Sequence, residues 1–152
     1  MKNLLAKLLH TEGEFAPFLL RISLAAVILP HGIQKTIGWF GGHGFQGTVG
    51  FFTGTMGLPY IIAVLVITAE SLGALALIFG FFTRFVAASL ALVMLGAIAT
   101  VHWQNGFFMN WSGQQPGEGF EYHLLVIGMV LSLAITGAGK WSIDSSLSGK
   151  IK

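Results

Sequence analysis

A single carboxylate, Glu70, lies near the middle of the apolar run ITAESLGALALIFG at residues 67–80. An ionised side chain is costly both in lipid and in a protein core, so we expect Glu70 to face the protein interior and to have a partner there. Arg21 lies inside an earlier apolar run, and its side chain is long enough to reach across a modest difference in depth. We predict an Arg21–Glu70 ion pair, which either fixes the register of two helices or marks a path for a ligand or proton.

Four other titratable residues are predicted to meet at one end of the molecule. His31 and Lys35 are one helical turn apart in LPHGIQK. His102 ends the third apolar run, and Glu121 begins the fourth. Glu121 is favoured over His123 as the inward-facing residue, because the stripe that contains Glu121 has small and polar side chains and His123 is rotated from it by about 200°. We predict that the four residues form a polar mouth at the outer end of the bundle.

Three interpretations of this mouth stay open. Its residues are ordinary interfacial groups at helix ends, or His31 and His102 are axial ligands of a b-type haem, or the mouth binds a small polar or quinone-like molecule. Haem is disfavoured because axial histidines face each other at equal depth, whereas His31 is expected to lie about two turns deeper than His102. A quinone would accept hydrogen bonds from imidazole and ammonium groups. The sequence predicts no metal site, and a chain without cysteine binds no cofactor through a thiolate.

Composition indicates which elements must position these residues. The chain has 152 residues, of which 54% are hydrophobic and 9% charged, and its mean hydropathy is +0.77. Soluble domains carry about a quarter charged residues, so this composition is typical of an integral membrane protein. Four apolar stretches, at about 15–38, 57–80, 83–103 and 120–138, each approach the roughly 20 residues that cross a bilayer as a helix. We predict an all-α protein, one domain over residues 1–152 built as a four-helix transmembrane bundle.

Basic residues predict the orientation. Most lysines and arginines lie at the helix ends on the same side of the bundle as the chain termini, whereas Lys35 lies on the opposite side. By the positive-inside rule we therefore expect both termini to be cytoplasmic. The net charge of +2 therefore reflects topology and gives no reason to expect nucleic-acid binding. Two accessory helices are also predicted, one on the membrane surface at residues 2–9 and an interfacial one in the first outer loop, 41–59.

The chain resembles the DoxX family of small bacterial membrane proteins over almost its full length. The resemblance is carried by LLRISLAAVILPHGIQK (19–35), GLPYIIAVLVITAESLGALALIFGFFTR (57–84), VMLGAIATVHWQNGF (93–107) and EYHLLVIGMVLSLAITGAGKWSID (121–144). The residues that match the polar and glycine positions of the family pattern are Arg21, His31, Lys35, Glu70, Gly73, Arg84, His102, Gly106 and Glu121. The chain departs from that pattern at Ala138, where the family usually has a proline between two glycines.

The resemblance implies a multi-pass protein of the bacterial inner membrane, in contact with the lipid bilayer and linked to a quinone- or quinol-dependent redox system. On this expectation His31 and His102 hydrogen-bond or exchange protons with a quinone, and Lys35 polarises it. Glu121 would tune the charge of these groups. A partner redox subunit and homo-oligomerisation are further expectations that the sequence leaves open.

Two other classes of function also remain. One is a channel or carrier for a small solute or proton, with Glu70 as the gate inside the membrane. The other is a non-catalytic membrane anchor for a partner enzyme. The sequence assigns no catalytic residue, and it leaves open whether the chain is a subunit of a quinone-linked oxidoreductase.

Overall fold

Helices make up the regular structure of the protein. The computed structural model describes residues 2–11 and 13–151, and these residues include no β-strand. The α-helices are α1 (Lys2–Leu9), α2 (Phe15–Thr36), α3 (Gly44–Gly50), α4 (Tyr60–Thr68), α5 (Ala74–Phe79), α6 (Thr83–Ala97), α7 (Glu121–Thr136) and α8 (Ile143–Ile151). Short π-helical turns follow α3, α4 and α6, at Phe51–Thr55, Ala69–Gly73 and Ile98–His102, and a 3₁₀ turn covers Trp103–Asn105. The predicted all-α class is confirmed.

Among the residues that the structure describes, three continuous helices are long and apolar enough to cross a membrane. Span one is Phe15–Thr36, span two is Tyr60–Phe79 and span three is Thr83–Asn105. The fourth predicted span corresponds to α7, an apolar helix of 16 residues that is shorter than the other three. Span two begins at Tyr60, later than predicted, because Pro59 is its N-cap in an extended conformation and the residue before a proline is disfavoured in a helix.

Helices form at both places where the sequence predicted accessory helices. α1 packs against α8 and α6, and its Leu9 is fully buried, so this helix is attached to the bundle. α3 lies in the first loop and packs against α2 and α4. The position of both helices relative to a membrane stays a prediction. We call the end of the bundle with α1 and α8 the inner end, and the end with α3 and the loop 104–120 the outer end.

The core of the bundle lies between span one, the second half of span two, span three and α7. Its most deeply buried members are Leu24, Ala25, Ile28, Ala74, Leu77, Ala87, Leu90, Val130 and Leu133. Since lipid is as apolar as these side chains, their contacts in a membrane stabilise the fold through close packing. The backbones of spans one and two approach each other closely at Gly32, because a Cβ there would lie 2.6 Å from both the carbonyl carbon of Glu70 and the Cα of Ser71. Span one therefore requires glycine where it crosses the π turn of span two.

Arg21 is completely buried near the inner end. Its guanidinium donates hydrogen bonds to five backbone carbonyl oxygens at 2.5–3.0 Å. The acceptors lie at the end of α5 or after α7: Leu77, Ile78, Ala138, Lys140 and Trp141. Carbonyls at a helix C-terminus have no hydrogen-bond donor within the helix and carry partial negative charge. A guanidinium supplies both the donors and a positive charge. A guanidinium has five N–H groups, and these contacts engage all three of its nitrogens.

The predicted Arg21–Glu70 pair is wrong, because Glu70 pairs with Lys35. The cause is the direction in which helical side chains lean. Every side chain in a helix points toward the helix N-terminus. Spans one and two are antiparallel, so Arg21 leans toward the inner end while Glu70 leans toward the outer end. Lys35, at the outer end of span one, leans back toward the middle and meets Glu70.

Asp144 and Arg84 add two further caps at the inner end. The Asp144 carboxylate is 1% exposed and accepts hydrogen bonds from the backbone N–H groups of Phe82 (2.8 Å) and Thr83 (2.9 Å), so α8 caps the first turn of α6. Burial raises the pKa of the Asp144 carboxyl, although these N–H groups and the charge of Arg21 favour its ionised form. Arg84 donates to two carbonyl oxygens at the end of α7 and to one after α1. We call Arg21, Arg84 and Asp144 the inner cap.

Candidate ligand-binding cleft

A cleft opens between spans two and three. α6 packs on the π turn and α5 of span two, whereas α4 packs on α2 and α3. The space between α4 and the outer part of span three belongs to a cleft of about 1340 Å³ that continues along both helices toward the inner end. Most of its surface is apolar. The volume exceeds the roughly 300–1,000 Å³ of usual small-molecule sites.

The titratable groups of the cleft lie mainly in its outer half. Apart from Glu118, which belongs to the loop 104–120, they come from span one, the π turn of span two, the end of span three and the start of α7. We call this group the polar wall: His31, Lys35, Glu70, His102, Tyr122 and His123. Three of the four residues predicted to bind a ligand, His31, Lys35 and His102, therefore line one cavity. Their role in binding stays a prediction.

Lys35 and Glu70 form the ion pair of the polar wall. Lys35 Nζ lies 2.5 Å from Glu70 Oε2, and the two side chains are 23% and 8% exposed. Glu70 is part of the π turn Ala69–Gly73, and π turns inside α-helices frequently occur at functional sites. A second π turn, Ile98–His102, ends at His102 on the other side of the cleft. Both irregular turns thus supply a titratable side chain to the same cavity.

His102 and His123 contact each other, with ring centroids 4.1 Å apart. His102 Nδ1 lies 2.8 Å from the carbonyl oxygen of Glu118, and because a carbonyl oxygen only accepts, this nitrogen carries the hydrogen. The His123 side chain is buried, and its Nδ1 has no hydrogen-bond partner among the residues that the structure describes. The pair therefore combines one imidazole that is held in place with one that has unused hydrogen-bonding capacity.

The hydroxyl of Tyr122 is another buried polar atom without a partner in the described part of the chain. Thr83 Oγ1 and Gln115 Oε1 share this property but do not line the cleft. Buried polar atoms in native proteins are nearly always hydrogen-bonded, and an unsatisfied one costs about 1–3 kcal/mol. Tyr122 and His123 are neighbours in sequence, and both border the cleft. Two unsatisfied groups in one cavity fit a ligand that can both donate and accept hydrogen bonds.

Glu121, the fourth residue predicted to bind a ligand, lies outside the lining of the cleft. Its Oε1 accepts a hydrogen bond from the backbone N–H of Met109 at 2.8 Å and one from Trp111 Nε1 at 3.2 Å. Glu118 similarly accepts from the backbone N–H of Asn110 at 2.6 Å. The two carboxylates hold the loop 104–120 over the outer end of the cleft.

The prediction that Glu121 faces inward in preference to His123 is wrong. α7 packs on α6 through Val126, Val130 and Leu133, and His123 continues this buried stripe by one turn. The spacing of three, four and three residues is that of one helix face. This apolar stripe was the signal in the sequence that identifies His123, and the small residues on the Glu121 side were a weaker guide.

The chain was compared with known proteins. The family model described as DoxX matches residues 16–103. The chain is 32% identical over 136 residues, 90% of each chain, to a Bacillus subtilis (strain 168) protein titled "Putative oxidoreductase CatD". It is 36% identical over 131 residues, 86% of this chain and 90% of the relative, to a protein of Escherichia coli (strain K12) titled "Inner membrane protein YqjF". No solved structure matches the chain significantly.

Proposed function

We propose a function on the premise that this chain belongs to the DoxX family of membrane proteins, as the family match and both relatives show. The protein binds a quinone or quinol against the polar wall of the cleft and serves a membrane redox system as a ligand-binding subunit or accessory. The observation that carries this proposal is the pair of unsatisfied buried groups, Tyr122 Oη and His123 Nδ1, at the edge of a large apolar cavity.

The chemistry of the wall suits a ring with oxygen substituents. A quinone carbonyl accepts a hydrogen bond from the Tyr122 hydroxyl, and a quinol hydroxyl donates one to His123 Nδ1. Lys35 is near enough to the same cavity to polarise a carbonyl, and its pairing with Glu70 keeps the wall close to neutral overall. A neutral wall is compatible with an uncharged ligand inside the membrane.

The redox partner must come from outside the chain in this proposal. The chain has no cysteine, so it has no thiol–disulfide couple of its own. One relative is named as an oxidoreductase, which supports a redox association. A quinone that takes or gives two electrons would exchange them with a partner subunit, while the polar wall handles the accompanying protons.

The proposal also covers the arrangement in the membrane. α7 serves as the fourth span, and the inner end faces the cytoplasm of a bacterial cell. The arginines of the inner cap and the basic residues of α1 lie at that end, which agrees with the positive-inside rule. A relative titled as an inner membrane protein supports this location. The channel or carrier and the enzyme anchor stay predictions from sequence.

Replacement of Tyr122 by Phe tests the proposal. The purified protein is titrated with a water-soluble, tail-less quinone, and quenching of tryptophan fluorescence reports binding. We expect saturable binding by the wild type and a loss of about tenfold in affinity for Tyr122→Phe, since one buried hydrogen bond contributes about 1 kcal/mol or more.

Tyr60→Phe is the matched control, because Tyr60 is 60% exposed at the start of span two and lies outside the cleft lining. It should bind the quinone as the wild type does. Absence of saturable binding in the wild type, or equal affinities for Tyr122→Phe and Tyr60→Phe, would contradict the proposal.

A further inference from the structure

We infer that the ligand of the cleft is a membrane quinone with a long hydrocarbon tail, which enters sideways from the bilayer and lies along spans two and three. The inference deepens the proposed function and rests on it, because it concerns the same cavity. It is carried by the length of the cleft, the distribution of its polar groups and the side on which it opens.

The cleft is much longer than a quinone ring. Its lining on span three runs from Phe85 to His102, which at 1.5 Å per residue corresponds to about 25 Å. That length approaches the ~30 Å thickness of the hydrocarbon part of a bilayer. A ring at the polar wall would occupy only the outer part and leave the remainder for a tail.

The inner part of the cleft offers a ligand mainly hydrocarbon. Ser89 is the hydroxyl-bearing residue of span three that lines this part, and its hydroxyl donates to the carbonyl oxygen of Phe85 on its own helix at 3.0 Å. Phe81, Phe85 and Leu92 continue the lining toward the inner end. An apolar tail can lie there without leaving a polar group unsatisfied.

The cleft is open on its side as well as at its end. Four large apolar side chains of its lining are more than half exposed: Leu65 (55%), Leu72 (62%), Phe85 (61%) and Leu92 (71%). Because these side chains are exposed on two of the helices that are long and apolar enough to cross a membrane, they would face lipid there. A ligand dissolved in the bilayer therefore reaches the polar wall between the two spans without passing through water.

The deepest part of the polar wall, the Lys35–Glu70 pair, selects an uncharged head. Glu70 is ten residues from the start of span two, Tyr60, so it lies about 15 Å from that end of the helix. The charged phosphate of a phospholipid would have to leave the interfacial region to reach this depth, which is unfavourable. A quinone ring carries carbonyl oxygens without charge, and it can reach the wall while its tail follows the cleft.

Ser89→Leu tests the inference, because Ser89 lines the cleft 16 residues from the outer end of span three, about 24 Å and therefore beyond the depth of Glu70, and its hydroxyl bonds only to its own helix. Ala88→Leu is the matched control, since Ala88 is the exposed neighbour of Ser89 and lies outside the cleft lining. Binding of a tailed and a tail-less quinone with the same ring is measured in nanodiscs. We expect Ser89→Leu to weaken the tailed quinone by about tenfold, because its side chain would occupy the path of the tail. The tail-less quinone should bind both variants as it binds the wild type.

A tailed quinone with a photoreactive group at the end of its tail provides a second measurement on the unchanged protein. We expect cross-links on the inner part of spans two and three, between Leu72 and Leu92. Cross-links confined to the outer loops, or equal effects of Ser89→Leu on both quinones, would overturn the inference and leave the proposed function standing. A phospholipid in the inner part of the cleft that the tailed quinone does not displace, while the tail-less quinone still binds, would overturn it as well. Failure of both quinones to bind the wild type would contradict the proposed function itself.

Discussion

The inner cap and the polar wall both contain charged side chains inside one bundle, but these side chains have different partners in the two regions. In the inner cap, Arg21, Arg84 and Asp144 bind backbone groups at the ends of helices. In the polar wall, charged side chains pair with each other, and Tyr122 and His123 retain buried atoms without partners across the described chain. The comparison indicates that the first region holds the helices together and the second is available to a ligand.

The difference follows from which backbone groups in each region need a hydrogen-bond partner. Helix ends leave carbonyl and N–H groups without partners, and in a membrane these must be satisfied by the protein itself. The inner cap meets this requirement for α5, α6 and α7. The polar wall lies partly at helix ends as well, since Lys35 is in the last turn of span one and Tyr122 and His123 are in the first turn of α7. Among the described residues, however, its one side-chain bond to a backbone group is that of His102 to the carbonyl oxygen of Glu118, so most of the wall takes no part in capping helices.

The largest expected effect is the loss of stability when Arg21 is replaced by Met. Five carbonyl oxygens would lose their donor, and removing one partner of a buried charged interaction costs about 3–5 kcal/mol. Lys140→Met removes an exposed cationic side chain nearby and should have little effect. Thermal unfolding in detergent measures both. An Arg21→Met protein as stable as Lys140→Met would contradict the structural role of the inner cap.

A double-mutant cycle on Lys35 and Glu70 is expected to have the next largest effect. Each single change, Lys35→Met or Glu70→Gln, leaves one group of the pair without its partner and should destabilise the protein by about 2 kcal/mol. The double variant should cost at least about 1 kcal/mol less than the sum of the two, because the unpaired charge is gone. Additive costs would show that the two side chains do not interact. The same unfolding measurement in detergent provides all the values.

The architecture was accessible from sequence, because the length and continuity of apolar runs determine where helices can cross a bilayer. Spans one to three lie where those runs do. The presence of three residues of the polar wall in one cavity was also predictable from sequence, since His31, Lys35 and His102 all lie near the outer ends of spans. Depth along a helix can be counted directly from the sequence.

The direction in which each side chain points, around and along its helix, was harder to predict. The Arg21–Glu70 pairing failed because depth was counted from the Cα positions while the side chains lean apart. The π turns at Ala69–Gly73 and Ile98–His102 have no strong sequence signature, and each changes which residues share a face. Within α7, the prediction relied on the small residues beside Glu121 and not on the apolar stripe that includes His123 and Val126, which is the buried one.

Replacement of Glu121 is expected to have the smallest effect, and it distinguishes the role of the loop 104–120 from the role of the polar wall. Glu121→Ala removes the acceptor for Met109 and Trp111, so the loop 104–120 should exchange its amide hydrogens faster, by an amount equal to about 1 kcal/mol. Quinone affinity should change less than about twofold, because one lost bond in the loop leaves the wall itself intact. Hydrogen exchange and the tail-less quinone titration measure the two effects separately.

Glu121→Gln is the control, since its side-chain oxygen can still accept both hydrogen bonds and only the charge is lost. If Glu121→Gln weakens quinone binding as much as Tyr122→Phe does, the charge of Glu121 acts on the ligand. The boundary of the polar wall would then have to include α7 from its first residue. If Glu121→Ala alone affects the loop and neither variant affects binding, the carboxylate positions the cover of the cleft and the ligand contacts belong to Tyr122 and His123.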